Sequence, residues 1–339
     1  MPRCGSQVIL CDVPVRFDTY TGCTHACKYC FANQKQRTTT IGRGESAETL
    51  SAFIAGKRSI ETDWCDWDIP LHFGGMSDPL QPAEVTHGFT YDCLKVFTST
   101  QYPLIFSTKG ELLGEPKYYE LLAQCNAVVQ VSLVAPSYDP IEPGCPSYAE
   151  RLRIIEKVAP KVKRLIIRVQ PYTINVHSEV MRALKSYSEA GVYGVVVEGM
   201  KFKKKKPGLI AAAGDYTYKL RDIRPLFEEI KAEAHSVGLR FYSGENRLRT
   251  LGDDLCCCGI DGMEGFRGNT YNFNHLYYGE DKPEPTAAMQ AAGSARVFKT
   301  LRQTASASKD FYVNRPSFQQ LMDYHAGKEV SKLIMGKKE

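Results

Sequence analysis

Short apolar runs alternate with amphipathic stretches along most of this chain. Val13-Pro-Val-Arg-Phe17, Ile69-Pro-Leu-His-Phe73, Leu104-Ile-Phe-Ser107, Val128 to Val134, Leu165-Ile-Ile-Arg-Val169, Val195-Val-Val-Glu198 and Leu239-Arg-Phe-Tyr242 are brief and rich in β-branched and aromatic residues, and each reads as a strand. Between them the apolar positions take up helical spacing. Leu50, Phe53 and Ile54 mark a helix face behind a Ser46 cap, and helices follow over Tyr91 to Phe97 and Glu115 to Gln124. Ser147-x-x-Glu150 is a capping box that opens the next. Ser178 to Ala190 stops at Gly191 and Arg221 to Val237 stops at Gly238, where glycine suits a helix C-terminus.

Apolar strands separated by amphipathic helices predict an α/β fold with a parallel sheet and helices on its outside. The units are too few for a complete eight-unit barrel and fit a partial, (βα)6-type TIM barrel; a doubly wound open sheet is the competing fold. In such barrels chemistry gathers in the loops after the strands. From about Gly259 the alternation fails: the stretch from Gly262 to Asn274 is rich in Gly, Asn and aromatics, Pro283 to Pro285 reads as a linker, and helical patterns return near 286–304 and 317–335. The expected organisation is an N-terminal segment over 1–12, the barrel over 13–250, and a cysteine-containing, mostly helical extension over 251–339.

Composition narrows the class. The chain has 339 residues, 43% hydrophobic and 24% charged, which suits a globular protein able to bury a core. A net charge of +5 permits a polyanionic partner without demanding one. No secretory pattern or membrane-length apolar run is seen, so the expectation is a cytoplasmic protein with no membrane partner. In that setting 12 cysteines point to thiols or metal and cluster ligands rather than disulfides. Cys93 and Cys125 sit in apolar helical patterns and read as core; Cys145, in the turn Glu142-Pro-Gly-Cys, has no legible role.

The strongest chemical signal lies just after the first of these strands. Cys23, Cys27 and Cys30 form a C-x3-C-x2-C run with Tyr29 before the last cysteine. Three thiolates can hold three corners of a cubane iron–sulfur cluster and leave one iron open. The alternative is a structural zinc site completed by His25 or another cysteine, although zinc sites usually pair two ligand sets. Two further loops fall at strand ends. Gly74 and Gly75, with Ser77 and Asp78, offer close backbone approach and hydrogen-bond acceptors, against an ordinary turn. Ser107 and Lys109 close the next strand, where the lysine would meet an anion or stand in solvent. Arg168, inside an apolar strand, would hold a carboxylate if it faces the barrel interior or form a structural salt bridge if it points outward between helices, and Glu198, ending its strand, faces the same choice.

At these residues the sequence resembles the radical S-adenosylmethionine (radical SAM) superfamily, whose signature is C-x3-C-x-aromatic-C. The words around Tyr20 to Ala32, Gly74 to Glu84 and Ser107 to Gly110 are similar to the spore photoproduct lyase-like branch, over roughly residues 13 to 200. The resemblance implies a 4Fe–4S cluster on Cys23, Cys27 and Cys30. It implies S-adenosyl-L-methionine held near Tyr29, Gly74, Gly75, Ser77, Asp78, Ser107 and Lys109; Arg168 and Glu198 are added as cofactor-binding candidates from their places in later strands of the same barrel. It also implies reductive cleavage of that cofactor to a 5′-deoxyadenosyl radical that abstracts hydrogen from substrate, with a flavodoxin- or ferredoxin-like electron donor. The branch suggests a lyase acting on a nucleic-acid lesion.

Two features stand outside this resemblance. Cys256-Cys-Cys258 follows polar loop sequence. It reads as a second iron–sulfur cluster completed by Cys4, Cys11 or a more distant ligand, as a hydrogen-atom donor, or as buried small hydrophobes. Lys201-Phe-Lys-Lys-Lys-Lys206 lies after the sixth strand, where it would grip phosphates or form a solvated loop. The rival functions are radical modification of a peptide, RNA or small metabolite with an auxiliary cluster, and a zinc-stabilised nucleic-acid-binding module without turnover.

Overall fold

The computed structural model describes residues 1–4, 10–32, 40–59, 61–212, 215–280, 284 and 286–288. Its centre is one eight-stranded sheet, ordered β1-β2-β3-β4-β5-β6-β7-β10. The strands are β1 (Arg3–Cys4), β2 (Val15–Phe17), β3 (Leu71–Phe73), β4 (Leu104–Thr108), β5 (Ala127–Ser132), β6 (Arg164–Tyr172), β7 (Gly194–Gly199) and β10 (Arg240–Ser243). β1 pairs antiparallel with β2, and every later neighbour is parallel. The crossovers carry α1 (Ala47–Ile54), α2 (Ala83–His87), α3 (Phe89–Thr100), α4 (Pro116–Gln124), α5 (Tyr148–Val158), α6 (His177–Glu189) and α7 (Leu220–Ser236). This is the partial parallel barrel that the alternation predicts. An antiparallel hairpin, β8 (Leu209–Ala212) with β9 (Asp215–Tyr218), interrupts the last crossover and was not legible as such.

Local chemistry sets the helix ends. Ser46 and Thr49 form a reciprocal capping box at α1, and Ser147 and Glu150 do so at α5. Each such cap contributes about 1 kcal/mol. The outward faces of the strands and the inward faces of the helices share one core, in which Phe17, Phe73, Phe97 and Phe106 meet edge to face or tilted at 4.9 to 6.1 Å. Such ring pairs add about 1 kcal/mol each beyond the burial of their area.

The inner face has a second, smaller core. Ile105, Val128, Ile166 and Val196 point inward from the earlier part of their strands and pack with Val13, Tyr242, Cys256, Cys258 and Ile260. Two residues further along the same strands, the inward positions turn polar: Ser107, Gln130, Arg168 and Glu198. The barrel is thus plugged with apolar side chains at one end and polar toward the C-terminal ends of its strands. The segment after Leu251 supplies that plug, and it continues to α8 (Phe273–Tyr278). Gly259 has φ +70°, a left-handed turn that favours glycine, and a Cβ there would lie 1.9 Å from Ile166 Cδ1, so any other residue strains the turn and displaces Ile166 where the plug meets the sheet. The helical patterns near 286–304 and 317–335 fall, beyond residue 288, outside the described residues. Cys65, Cys93 and Cys125 are fully buried on the outer side.

Candidate active site

The cysteine loop leaves the C-terminal end of β2 and is fastened on two sides. On one side it meets the loop after β5. Lys28 N–H donates to Ile141 O (2.9 Å), Gly144 N–H donates to His25 O (3.0 Å), and His25 Nδ1 lies 2.8 Å from Gly144 O. On the other side it meets the loop after β3. Asp18 takes the backbone N–H groups of Met76 (2.8 Å) and Ser77 (3.1 Å), and Ser77 Oγ donates to Tyr20 O (2.7 Å). Gly74 has φ +88°, and a Cβ there would come within 2.3 Å of Ser107 O, so the β3 loop can lie against the end of β4 only with glycine at this position.

Asp78 ties the three loops together. Its buried carboxylate accepts from Leu80 N–H (2.9 Å), Thr108 Oγ1 (2.7 Å) and Lys109 N–H (2.6 Å), and it forms an ion pair with His25 Nε2 at 3.2 Å. These partners fill a carboxylate's acceptor positions. Burial alone would raise its pKa, but His25, Thr108 and Lys109 N–H outweigh it and keep Asp78 ionised. Burial works against the charged form of His25 as well, but Asp78 and the Gly144 carbonyl outweigh it and raise the ring's pKa above the ordinary histidine value.

Lys109 joins a second buried group. Its Nζ stands 3.1 Å from Glu142 Oε1 and 3.0 Å from the Tyr29 hydroxyl, which itself donates to Glu142. Arg151 from α5 completes the pairing on the other oxygen of Glu142. Burial opposes ionisation of Glu142, but Lys109 and Arg151 together hold its pKa below the usual carboxylate range. Glu142 and Cys145 were missed because they lie in a Pro-Gly turn with no periodic signal. The Cys145 thiol reaches to 3.7 Å from Cys27 Sγ, across 118 residues of sequence. That contact, against the opposing effect of burial and with help from Lys109, brings Cys27 down to about 7. Burial and Asp78 push Cys23 up to about 12.

Cys23, Cys27 and Cys30 are therefore three sulfur donors on one pinned loop at the mouth of the barrel, with Cys23 and Cys30 half-buried. Among the described residues no three His, Cys, Asp or Glu side chains converge on one point as the ligands of a single ion would. A cubane spreads its thiolates over separate irons, so a donor set of this chemistry suits it without that convergence.

Behind the loop, a line of polar side chains crosses the inner face of the sheet. His72 Nε2 and Ser107 Oγ are 2.8 Å apart; Ser107 Oγ donates to Gln130 Oε1 (3.1 Å), and Arg168 Nη1 donates to the same oxygen (2.9 Å). Arg168 Nη2 donates to Gln170, whose Nε2 donates to Glu198 Oε2 (2.6 Å). Burial pushes the Glu198 carboxyl up to about 7, partly offset by Lys201 and Arg168. Arg168 and Glu198, expected here from sequence, are thus linked through Gln170, which was missed along with His72 and Gln130. The inward alternation of their strands was the available signal.

Cys256, Cys257 and Cys258 lie against the middle of this line. Gln130 Nε2 donates to Cys258 O (3.0 Å), and Cys257 stands beside Arg249 and Arg168. The lysine run borders the mouth: Lys201 pairs with Glu245 (3.2 Å) and Lys203 with Asp215 (2.6 Å), while Lys204 and Lys205 are exposed.

No family model matches the chain. Uncharacterised proteins of Mycobacterium tuberculosis and Mycobacterium bovis are 25% identical over 210 residues, which cover 58% of this chain and 62% of theirs. The match thus spans less than two thirds of those relatives. Among solved structures, a double mutant of spore photoproduct lyase with bound AdoMet and dinucleoside spore photoproduct superposes with a TM-score of 0.55 at 16% identity, over 68% of this chain and 76% of that one. Streptococcus suis SuiB bound to its precursor peptide SuiA superposes with a TM-score of 0.50 at 14% identity, over 68% of this chain and 49% of that one. The chain has the radical SAM fold, in a form like that of spore photoproduct lyase.

Proposed function

We propose that this chain is a radical S-adenosylmethionine enzyme of the cytoplasm. The observation that carries the reading is the placement of Cys23, Cys27 and Cys30 on a loop at the C-terminal end of β2, held by Asp78 and His25 against the ends of β3 and β4. A 4Fe–4S cluster on these cysteines would supply one-electron cleavage of S-adenosylmethionine to a 5′-deoxyadenosyl radical when reduced by a flavodoxin- or ferredoxin-like donor.

The chain's own residues would then divide the work. Asp78, Ser77 and Gly74 fix the loops, and Tyr29 and Lys109 lock the cysteine loop onto Glu142. Gly75, Ser107, Arg168 and Glu198 would meet the cofactor or substrate in the barrel. A carboxyl near pKa 7 at Glu198 can hold or release a proton at neutral pH. The apolar plug beneath excludes water from that space.

For the substrate we favour a nucleic-acid lesion, handled by a lyase-type reaction. The exposed Lys204 and Lys205 beside the barrel mouth support it, because phosphate contacts need no fixed geometry. Modification of a peptide, RNA or small metabolite is the second reading, favoured by the inward Cys256 to Cys258 segment. Anaerobic reconstitution with iron and sulfide, followed by reduction with S-adenosylmethionine present, tests the enzyme claim. Production of 5′-deoxyadenosine supports it. Stoichiometric zinc without iron uptake would instead favour a nucleic-acid-binding module.

A further inference from the structure

Folding brings a fourth thiol to the Cys256-Cys-Cys258 segment. Cys11, just before β2, packs on the same inner core as Cys256, Cys257 and Cys258. The Cys258 thiol is in hydrogen-bonding contact with the thiols of Cys11, Cys256 and Cys257. Two backbone N–H groups point at these sulfurs: Cys258 N–H at Cys256 Sγ (3.4 Å) and Val13 N–H at Cys11 Sγ (3.4 Å). Arg249, itself buried, and Arg168 stand beside Cys257. The group sits at the plugged end of the barrel, apart from the cysteine loop at its mouth.

Simple core filling explains Cys256 and Cys258, which lie among Ile166, Val196 and Ile260. It does not explain Cys257, whose sulfur is hydrogen-bonded by the Arg249 guanidinium, a group that also donates to Asn246 Oδ1 (2.5 Å). Thiolates holding a cluster carry net negative charge, and nearby cations and N–H···S bonds are the means by which proteins stabilise and tune it. The four sulfurs do not converge as ligands of one ion do. They surround Cys258 as a group, an arrangement that suits a cluster more than a lone zinc.

We propose that Cys11, Cys256, Cys257 and Cys258 form a second, four-thiolate iron–sulfur site closing the inner end of the barrel, with Arg249 and Arg168 as its cationic neighbours. This site does not rest on the first cluster, and its test removes that cluster. The full-length Cys23→Ala/Cys27→Ala/Cys30→Ala variant is reconstituted anaerobically with ferrous iron and sulfide, desalted, and assayed for both. The expected result is equal iron and sulfide at about two to four per chain, with visible charge-transfer absorption. Adding Cys11→Ser, or separately Cys257→Ser, should lower iron at least about tenfold while circular dichroism stays that of the parent. Using two ligands from different segments keeps the result readable if one variant folds poorly. A folded triple variant that takes up no iron overturns the proposal. So does iron that persists undiminished in both added variants, or stoichiometric zinc without sulfide.

Discussion

His25 Nε2 stands 3.2 Å from Asp78 Oδ2, both side chains buried, and this pair joins the cysteine loop to the strand ends behind it. Removing one partner of a buried ion pair leaves the other uncompensated, at a cost of about 3 to 5 kcal/mol. Asp78→Ala also orphans Thr108 Oγ1 and the N–H groups of Leu80 and Lys109. The variant should lose at least about 3 kcal/mol in urea unfolding and bind less iron on reconstitution. Wild-type stability in this variant would show that Asp78 does not anchor the loops.

Lys109 should matter to stability before it matters to cofactor binding. Its Nζ is committed to Glu142 and Tyr29, so Lys109→Met leaves buried Glu142 with the Tyr29 hydroxyl and one cation, Arg151, in place of two. A loss of about 3 kcal/mol is expected by thermal or urea melting. A stable variant with strongly weakened S-adenosylmethionine binding would mean that Lys109 swings to the cofactor instead.

The framework was legible because strands and helices announce themselves locally. Each predicted strand from Val13 to Tyr242 falls on a real one, and the Ser147–Glu150 capping box forms as spaced. The Cys23, Cys27 and Cys30 motif was legible for the same reason: its ligands sit on one short loop. Contacts across the fold were not. Cys145 reaches Cys27, and Cys11 reaches Cys258, only through barrel closure. Asp78 looked like a free acceptor because nothing in Ser77-Asp-Pro reveals that Thr108, Lys109 and His25 converge on it.

Cys145 beside Cys27 predicts a tuning effect rather than a ligand. A hydrogen bond to a cluster sulfur favours the reduced, more negative state, so Cys145→Ala should shift the first cluster's potential downward with iron content unchanged. Electron paramagnetic resonance during a redox titration reads both. Loss of about half or more of the iron would make Cys145 a ligand.

His72 gives the fold a defined acid response. Burial, with Arg168 and Arg16 nearby, pushes its pKa down to about 3. The unfolded chain takes up that proton near pH 6.5, so this part of the stability is present above about 6.5 and is lost as pH falls toward 3. The slope is at most about 1.4 kcal/mol per pH unit, and water reaching the half-buried ring lowers it. His72→Gln should flatten this limb of a pH-dependent urea series. An unchanged limb would place the acid response elsewhere.

The central claim is that the loop of Cys23, Cys27 and Cys30 holds a cluster that opens S-adenosylmethionine. Its most direct test measures iron, sulfide and 5′-deoxyadenosine in one anaerobic, dithionite-reduced sample of the reconstituted chain, beside its Cys23→Ala/Cys27→Ala/Cys30→Ala variant. The account predicts 5′-deoxyadenosine from the wild type, none from the variant, and about four fewer irons per chain in the variant. Equal iron in both proteins, with no 5′-deoxyadenosine from either, would contradict it.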